Sequence, residues 1–448
     1  MSAIERLFFR RVPFWVVMLL LILGMIGALL FAWAAQRAAD ESAEATKLQQ
    51  QALEVARVPE AMLRVLTEGI QGAAQPRILD YGGETGFVRR DPDFEDPGYL
   101  LVSAYNDGAG TGVVSLLRAG DEDPIHQWIP DIEAIHARST DTEGTNLKRN
   151  YRAQHPLLTE DGGILVTSGE GPLTRIGRCS SVEWVTDRHF HHSIEWAPDG
   201  EHVHVPHVMD PPAVTLGLGP EGPLPLRDDG FAKVSLDGKI VEEWSVTDIL
   251  LDNGYRGLLY GVGLYETDRT HLNDAEAVGI DDEFVESGDI MLSSRNLSTV
   301  FLYRPRTNEI LWLRTGPWLN QHDVDYLGNG EFSIFGNDVV RMTPGKGRRI
   351  TPHSAIWIYD VKTESVRRAL ELDEPDIAIP SQGLHTWLDN GDVFIDDARR
   401  LLRVAPDGAV RWEYTSPVGD DQIGALHWAR YLRPDQVPEV LLNGRECS

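Results

Sequence analysis

The sequence predicts an all-β chain, a six-bladed β-propeller preceded by an N-terminal transmembrane helix and a helical stalk. Three observations lead there: an uncharged apolar run at the start, a stretch rich in Gln, Glu, Ala and Leu, and a plan of short strands repeating to the C-terminus. A His-led unit with a Gly turn and a closing Trp strand, met about six times, is the signature of four-stranded blades.

The first element is "VPFWVVMLLLILGMIGALLFAWAA", residues 12–35, which holds no charge. At ~1.5 Å per residue it exceeds the ~30 Å hydrocarbon core, so it is long enough to span. Arg6, Arg10 and Arg11 precede it and "QRAADESAEA" follows it, which keeps residues 1–11 cytoplasmic. The expectation is a single pass of a bacterial inner membrane with the soluble part in the periplasm. A cleaved signal peptide ending at "AWAA" is the rival reading, and it too puts the rest of the chain outside. Residues 36–75 read as the stalk, broken at Pro59, and residues 76–448 as the propeller domain.

Within that domain the units begin at Tyr99, His155, His191, His271, Gln321 and Gly383. Trp128, Trp184, Trp244, Trp312 and Trp412 fall in closing strands, where packing is the expected role. The segment "HWARYLRPD" is expected to join early strands near residues 78–105, because a ring of sheets needs its ends paired. Residues 211–230 form a Pro/Gly-rich insert, read either as a roof over the channel or as an excursion.

In a propeller the first strand of each blade lines the central channel. His192, His271, His322 and His385, each read as the start of a first strand, are therefore expected to form a ring on one face. The second strand runs antiparallel and returns to that face. Seven residues past the turn glycines stand Gly169, His207, Arg295, Asn337 and Ala398. Arg295, an ordinary surface charge if read alone, becomes an inward cation beside a histidine ring.

Stability asks for small or apolar groups at a channel mouth, so converging titratable groups mark a functional site. Three chemistries compete. A transition-metal site prefers close carboxylates or thiolates and would not want Arg295 as a neighbour, so no metal is assigned. A tetrahedral oxyanion suits Arg with several His. A covalent transfer needs one neutral imidazole as nucleophile and cationic donors around the transferred group. The sequence shows no cofactor motif, and none is assigned.

Composition excludes one class of partner. Lys plus Arg number 41 and Asp plus Glu 69, a net charge of −28 that repels phosphate backbones, so nucleic acid is not a partner. Cys179 and Cys447 are one disulfide or two thiols, and an extracytoplasmic location favours the bridge. The sequence assigns no oligomeric state.

"THLND", "GDIMLSSRNLSTV", "QHDVDYLGNGEFSIFGN" and "FHHSIEWAPDG" together resemble the bacterial aryl sulfate sulfotransferases, six-bladed periplasmic propellers, over roughly residues 80–435. The resemblance implies transfer of a sulfuryl group from a phenolic sulfate ester to a phenol, without nucleotide sulfate, through a sulfohistidine. It makes His322 the nucleophile and puts His271, as an imidazolium, and Arg295 on the sulfuryl and bridging oxygens. His192 would assist the phenol proton or the anion. Asn273, His385, His207 and Asn337 are the expected substrate-binding residues. Two departures stand out: Asp323 follows His322 where the family tends to carry a hydroxyl residue, and an anchor and stalk replace an N-terminal β-domain. The other reading is a non-catalytic, membrane-tethered propeller that binds an anionic ligand or a cell-envelope glycan.

Overall fold

The computed structural model describes residues 13–39, 52, 55, 77–140, 148–220, 222–341, 348–373, 375–419 and 421–443. The chain divides into two compact units, Met1–Gln75 and Pro76–Ser448. In the first, a 26-residue helix runs Phe14–Ala39. Its Phe14–Ala34 part is long and apolar enough to cross a membrane, and none of it is covered by protein. Residues 1–11, and the stalk expected over 36–75 apart from 36–39, 52 and 55, lie outside the described residues.

The second unit is built from antiparallel sheets. The first joins Tyr99–Asn106, Thr111–Arg118 and His126–Trp128, and Leu426–Leu432 pairs with the free side of Tyr99–Asn106, Tyr99 opposite Leu432. The C-terminal strand thus meets the early strand that "HWARYLRPD" was expected to find. An eight-stranded sheet follows in two halves, Gln154–Leu158 through Val182–Phe190 and Glu195–Trp196 through Ile240–Ser245, linked where His207 faces Phe190. Four-stranded sheets then run Leu272–Ala277 to Glu309–Thr315 and Asp323–Gly328 to Ser365–Glu371. The last sheet runs Leu384–Trp387 to Val410–Tyr414 with Phe87–Arg89 added at its edge.

Burial explains why the inner strands read as unbroken apolar runs. Ile164–Thr167 and Ile290–Ser294 are buried at every position, because a sheet stands on each face. Outer strands such as Glu309–Thr315 are partly exposed along their length. The apolar clusters sit between successive sheets: Leu292 and Phe301 meet Phe231, Val300 and Leu302 meet Phe332 and Ile334, and Phe335 and Ile356 meet Ile395 and Leu402. A further cluster joins Phe394, Leu401 and Trp412 of the last sheet to Leu100, Val102 and Leu117 of the first. Trp128 and Trp412 are buried in these clusters, and Trp184, Trp244 and Trp312 pack against them, as expected of closing strands.

The ladders also show where counting from the sequence slipped. Asp323 pairs with Phe335, five residues past Gly330, and Leu384 pairs with Asp396, five past Gly391. His385 is therefore the register equivalent of Val324, and Gly383 is that of His322. Gly383 has φ +95°, and a Cβ there would lie 2.7 Å from the Phe335 ring, so no histidine fits.

Candidate active site

His271 and His322 immediately precede the inner strands Leu272–Ala277 and Asp323–Gly328, and His192 precedes Glu195–Trp196 by two residues. His192 and His271 hold φ of 59° and 47°, a left-handed backbone costly for residues with a side chain, so the surrounding packing must impose it. Their rings converge. His192 lies 5.2 Å from His271 and 6.2 Å from His322, centroid to centroid. His191 faces His192 with Nδ1 to Nδ1 at 2.8 Å, one of the two carrying the proton. Trp428 stands 6.3 Å from His192 and stacks on His155 at 4.4 Å.

Arg295 follows Ile290–Ser294, and its backbone N–H donates to the carbonyl of His271 at 3.0 Å. The end of the second strand thus returns beside the start of the first. Its guanidinium donates to Asn296 Oδ1 at 3.1 Å and forms no ion pair among the described residues. Burial, with Arg341 nearby, pushes its pKa down to about 10, so it remains a cation at neutral pH.

The proton on His322 is fixed by its partners. Nδ1 faces Asn337 Oδ1 at 2.7 Å and the Asn320 carbonyl at 3.2 Å, both acceptors. Asn337 cannot be turned around, because its Nδ2 donates to the carbonyls of Ile379 and Gln382. Nδ1 therefore carries the hydrogen, and Nε2 keeps its lone pair, which accepts the Gln382 N–H at 3.1 Å. Burial, then the charge of Arg295, pushes this imidazole down to about 3, so it is neutral at any ordinary pH.

His271 differs from expectation. Its Nδ1 lies 2.7 Å from Asp268 Oδ2, while its buried Nε2 has no hydrogen-bond partner. Burial lowers its pKa more than Asp268 raises it, and Arg295 lowers it further. The expected imidazolium gives way to a neutral ring with a free acceptor nitrogen, because cost of burial outweighs one carboxylate. His192 is likewise held well below its ordinary value, chiefly by burial.

The expected binding residues separate. Asn273 is buried near the cluster, donating Nδ2 to the Gln321 carbonyl at 3.0 Å with Oδ1 unpartnered. Asn337 has every polar atom engaged, so it orients His322 and offers nothing to a substrate. His385 sits deeper, its Nδ1 2.5 Å from Asp323 Oδ2. His207 lies within His202–Met209, packed on Phe190 with Nε2 3.4 Å from Glu243. That strand continues past position 207, whereas Ile290–Ser294 stops before Arg295, so the same count from a turn glycine delivers different environments.

A cavity of about 900 Å³ opens from this cluster, lined by His155, His192, His322 and Trp428 and then by a run of carboxylates. His207, His271 and Arg295 are not in its lining, and neither is any described residue of the 211–230 insert. Among the described residues two groups have metal-ligating atoms within 4.8 Å of one another: Asp229, Asp268 and His271, and Asp323, Asp325 and His385. Arg227 already pairs with Asp229 at 3.0 Å and lies 3.7 Å from Asp268, which supplies the first group's positive charge. Cys179 is disulfide-bonded, and Cys447 lies outside the described residues.

A family model for arylsulfotransferase (ASST) matches residues 156–416. No curated protein matches significantly. Among solved structures, a protein of unknown function from Bacteroides caccae aligns at 13% identity and TM-score 0.48, covering 75% of this chain and 100% of its own. TolB from Acinetobacter baumannii aligns at 9% identity and TM-score 0.40, over 75% and 66% respectively. The Pan2 WD40 domain of Neurospora crassa aligns at 10% identity and TM-score 0.39, over 77% and 88%.

Proposed function

The chain belongs to the arylsulfotransferase family, and from that premise we propose that it moves a sulfuryl group from an aryl sulfate to a phenol through a covalent intermediate on His322. The observation that carries this reading is the fixed tautomer of His322, whose Nδ1–H is held by Asn337 at 2.7 Å and whose Nε2 keeps its lone pair, accepting only the Gln382 N–H at 3.1 Å.

In the first step Nε2 exchanges its Gln382 N–H for the sulfur of the donor. The N–S bond forms, the sulfur to aryl-oxygen bond breaks, and a phenolate leaves. The ring is then a sulfated imidazolium that keeps its Nδ1–H on Asn337. In the second step the acceptor hydroxyl oxygen attacks sulfur, the N–S bond breaks, and the proton of the hydroxyl passes to His271 Nε2. Asp268 steadies the imidazolium so formed, and the proton then returns to solvent or to the departed phenolate. Sulfuryl transfer, like phosphoryl transfer, spreads charge over peripheral oxygens, and Arg295 is the cation proposed to meet it.

The same reading takes the sheets as six blades closed by Leu426–Leu432, and the domain as periplasmic. There Phe14–Ala39 anchors it in the inner membrane, with the Arg-rich residues 1–11 on the cytoplasmic side.

The test is 4-nitrophenyl sulfate with phenol, using the full chain in detergent. Nitrophenolate release that depends on acceptor, and a sulfated His322 peptide trapped without acceptor, are expected. His322→Ala should lose both by ~10³-fold or more. A folded chain that binds sulfate but releases no nitrophenolate with any phenol would support the tethered binding propeller instead.

A further inference from the structure

Beyond the histidines the cavity wall changes sign. Asp274 and Glu276 on one inner strand, Asp323 and Asp325 on the next, and Glu195 on a third line the same cavity as His192 and His322. Residues two apart in a strand share a face, so each pair points the same way. Two cations stand against these five carboxylates. Arg430 holds both oxygens of Glu195 at 3.0 and 3.1 Å, and His385 pairs with Asp323 and lies 3.5 Å from Asp325. Three negative charges remain unbalanced when all five are ionised. Burial and mutual repulsion accordingly push Asp325 up to about 7, and Asp274 and Glu276 well above their ordinary values.

An independent feature points to a missing donor. Asn273 is 2% exposed and lines the cavity, and with Nδ2 given to Gln321 its Oδ1 has no partner. A volume near 900 Å³ suits an organic molecule, and Trp196, Trp428 and Tyr431 supply flat apolar wall. A bare metal ion fits less well. Asp323 Oδ2 already receives the ring and backbone N–H groups of His385, and Glu195 is taken by Arg430.

We propose that the carboxylate end binds a protonated amine, so that the substrates of this chain are phenols, and their sulfate esters, that carry a cationic side chain. The inference rests on the sulfuryl-transfer reading. Asp325 lies three residues beyond His322, roughly 10 Å along the strand at ~3.3 Å per residue, a span comparable with a phenol ring and a two-carbon arm. The hydroxyl then meets His322 while the ammonium meets Asp325, Glu276 and Asp274.

The experiment compares tyramine, 4-ethylphenol and 3-(4-hydroxyphenyl)propionate as acceptors for the full chain, with binding of each measured by calorimetry alongside turnover. Tyramine should exceed 4-ethylphenol in kcat/KM and in affinity by ~10-fold or more, with the propionate lowest. Asp325→Asn and Glu276→Gln, checked for folding by melting, should shrink that ratio toward unity. Equal use of the three phenols, or a ratio the variants leave unchanged, would overturn the proposal. So would tight calcium or magnesium binding that tyramine does not displace. Preferential tyramine binding lost in the variants, with no transfer to any phenol, would sustain the amine site and sink only the transfer reading.

Discussion

The two ends of one cavity are built on opposite principles. At the histidine end the groups are held by fixed partners: Asn337 and Asn320 on His322 in the cavity wall and, beside it but outside the lining, Asp268 on His271 and the His271 carbonyl on the Arg295 backbone. At the other end Asp274, Glu276 and Asp325 crowd together with fewer counter-charges than charges. On the proposed reading the first arrangement positions atoms for a reaction and the second leaves electrostatic demand for a ligand to meet. Preorganisation and frustration thus sit a few residues apart on the same strands.

The largest way to break the histidine end short of removing the proposed nucleophile is Arg295. Its guanidinium is a half-buried cation without an ion pair among the described residues, and in the proposed transfer that charge meets the sulfuryl oxygens. Arg295→Ala should cost ~10²–10³ in kcat, the usual scale for losing a preorganised charge donor. Arg295→Lys should recover only part of that, because a point charge does not reproduce the planar fork. Steady-state rates with 4-nitrophenyl sulfate measure both. An alanine variant with unaltered kcat would remove Arg295 from the transition state.

How much of this contrast was legible beforehand depends on what each signal was. The convergence of His192, His271, His322 and Arg295 follows from unit starts and from counting seven residues past a turn glycine, and the ladders bring those residues together. His385 was assigned by matching one histidine to another instead of glycine to glycine, and it fell two positions out of register. His207 was counted correctly yet lies inside a longer strand, where both faces are packed. The carboxylates stand in the sequence as "NDAE" and "HDVD", but in a chain of net charge −28 alternating acids carry no signal that separates a buried wall from an exposed face. Asp268 and Gln382 come from loops outside the repeat, and only their folded position reveals them.

A smaller effect sharpens the role of Asn337. It holds the Nδ1 proton of His322, so in the proposed reaction it positions the nucleophile without touching a substrate. Asn337→Ala should lower kcat by ~10- to 100-fold with little change in KM. Asn337→Asp is more telling. A carboxylate facing Nδ1 raises the His322 pKa from its depressed value, so Nε2 becomes protonated over a wider acidic range. The acid limb of kcat should move upward in pH in Asn337→Asp and, because the Asn337 hydrogen bond itself raises the His322 pKa, shift downward in Asn337→Ala. A variant that merely loosened the fold would lower activity at every pH alike.

The smallest effect belongs to the carboxylate end and concerns stability. Asp325 has a folded pKa of about 7 against an ordinary 3.8, so between those values the folded chain keeps a proton that the unfolded chain has released. The stability tied to this group therefore falls as pH rises through that window, and the loss is complete above it. Asp325→Asn cannot ionise, so it should melt higher than the parent at pH 8, by roughly 2 °C for each kcal/mol relieved. The two should converge near pH 4. Tyramine added at pH 8 should raise the parent's Tm and leave the variant's nearly unmoved, since a bound ammonium supplies the charge that the amide no longer needs. A melting difference independent of pH would mean that packing, not unbalanced charge, distinguishes the two ends of the cavity.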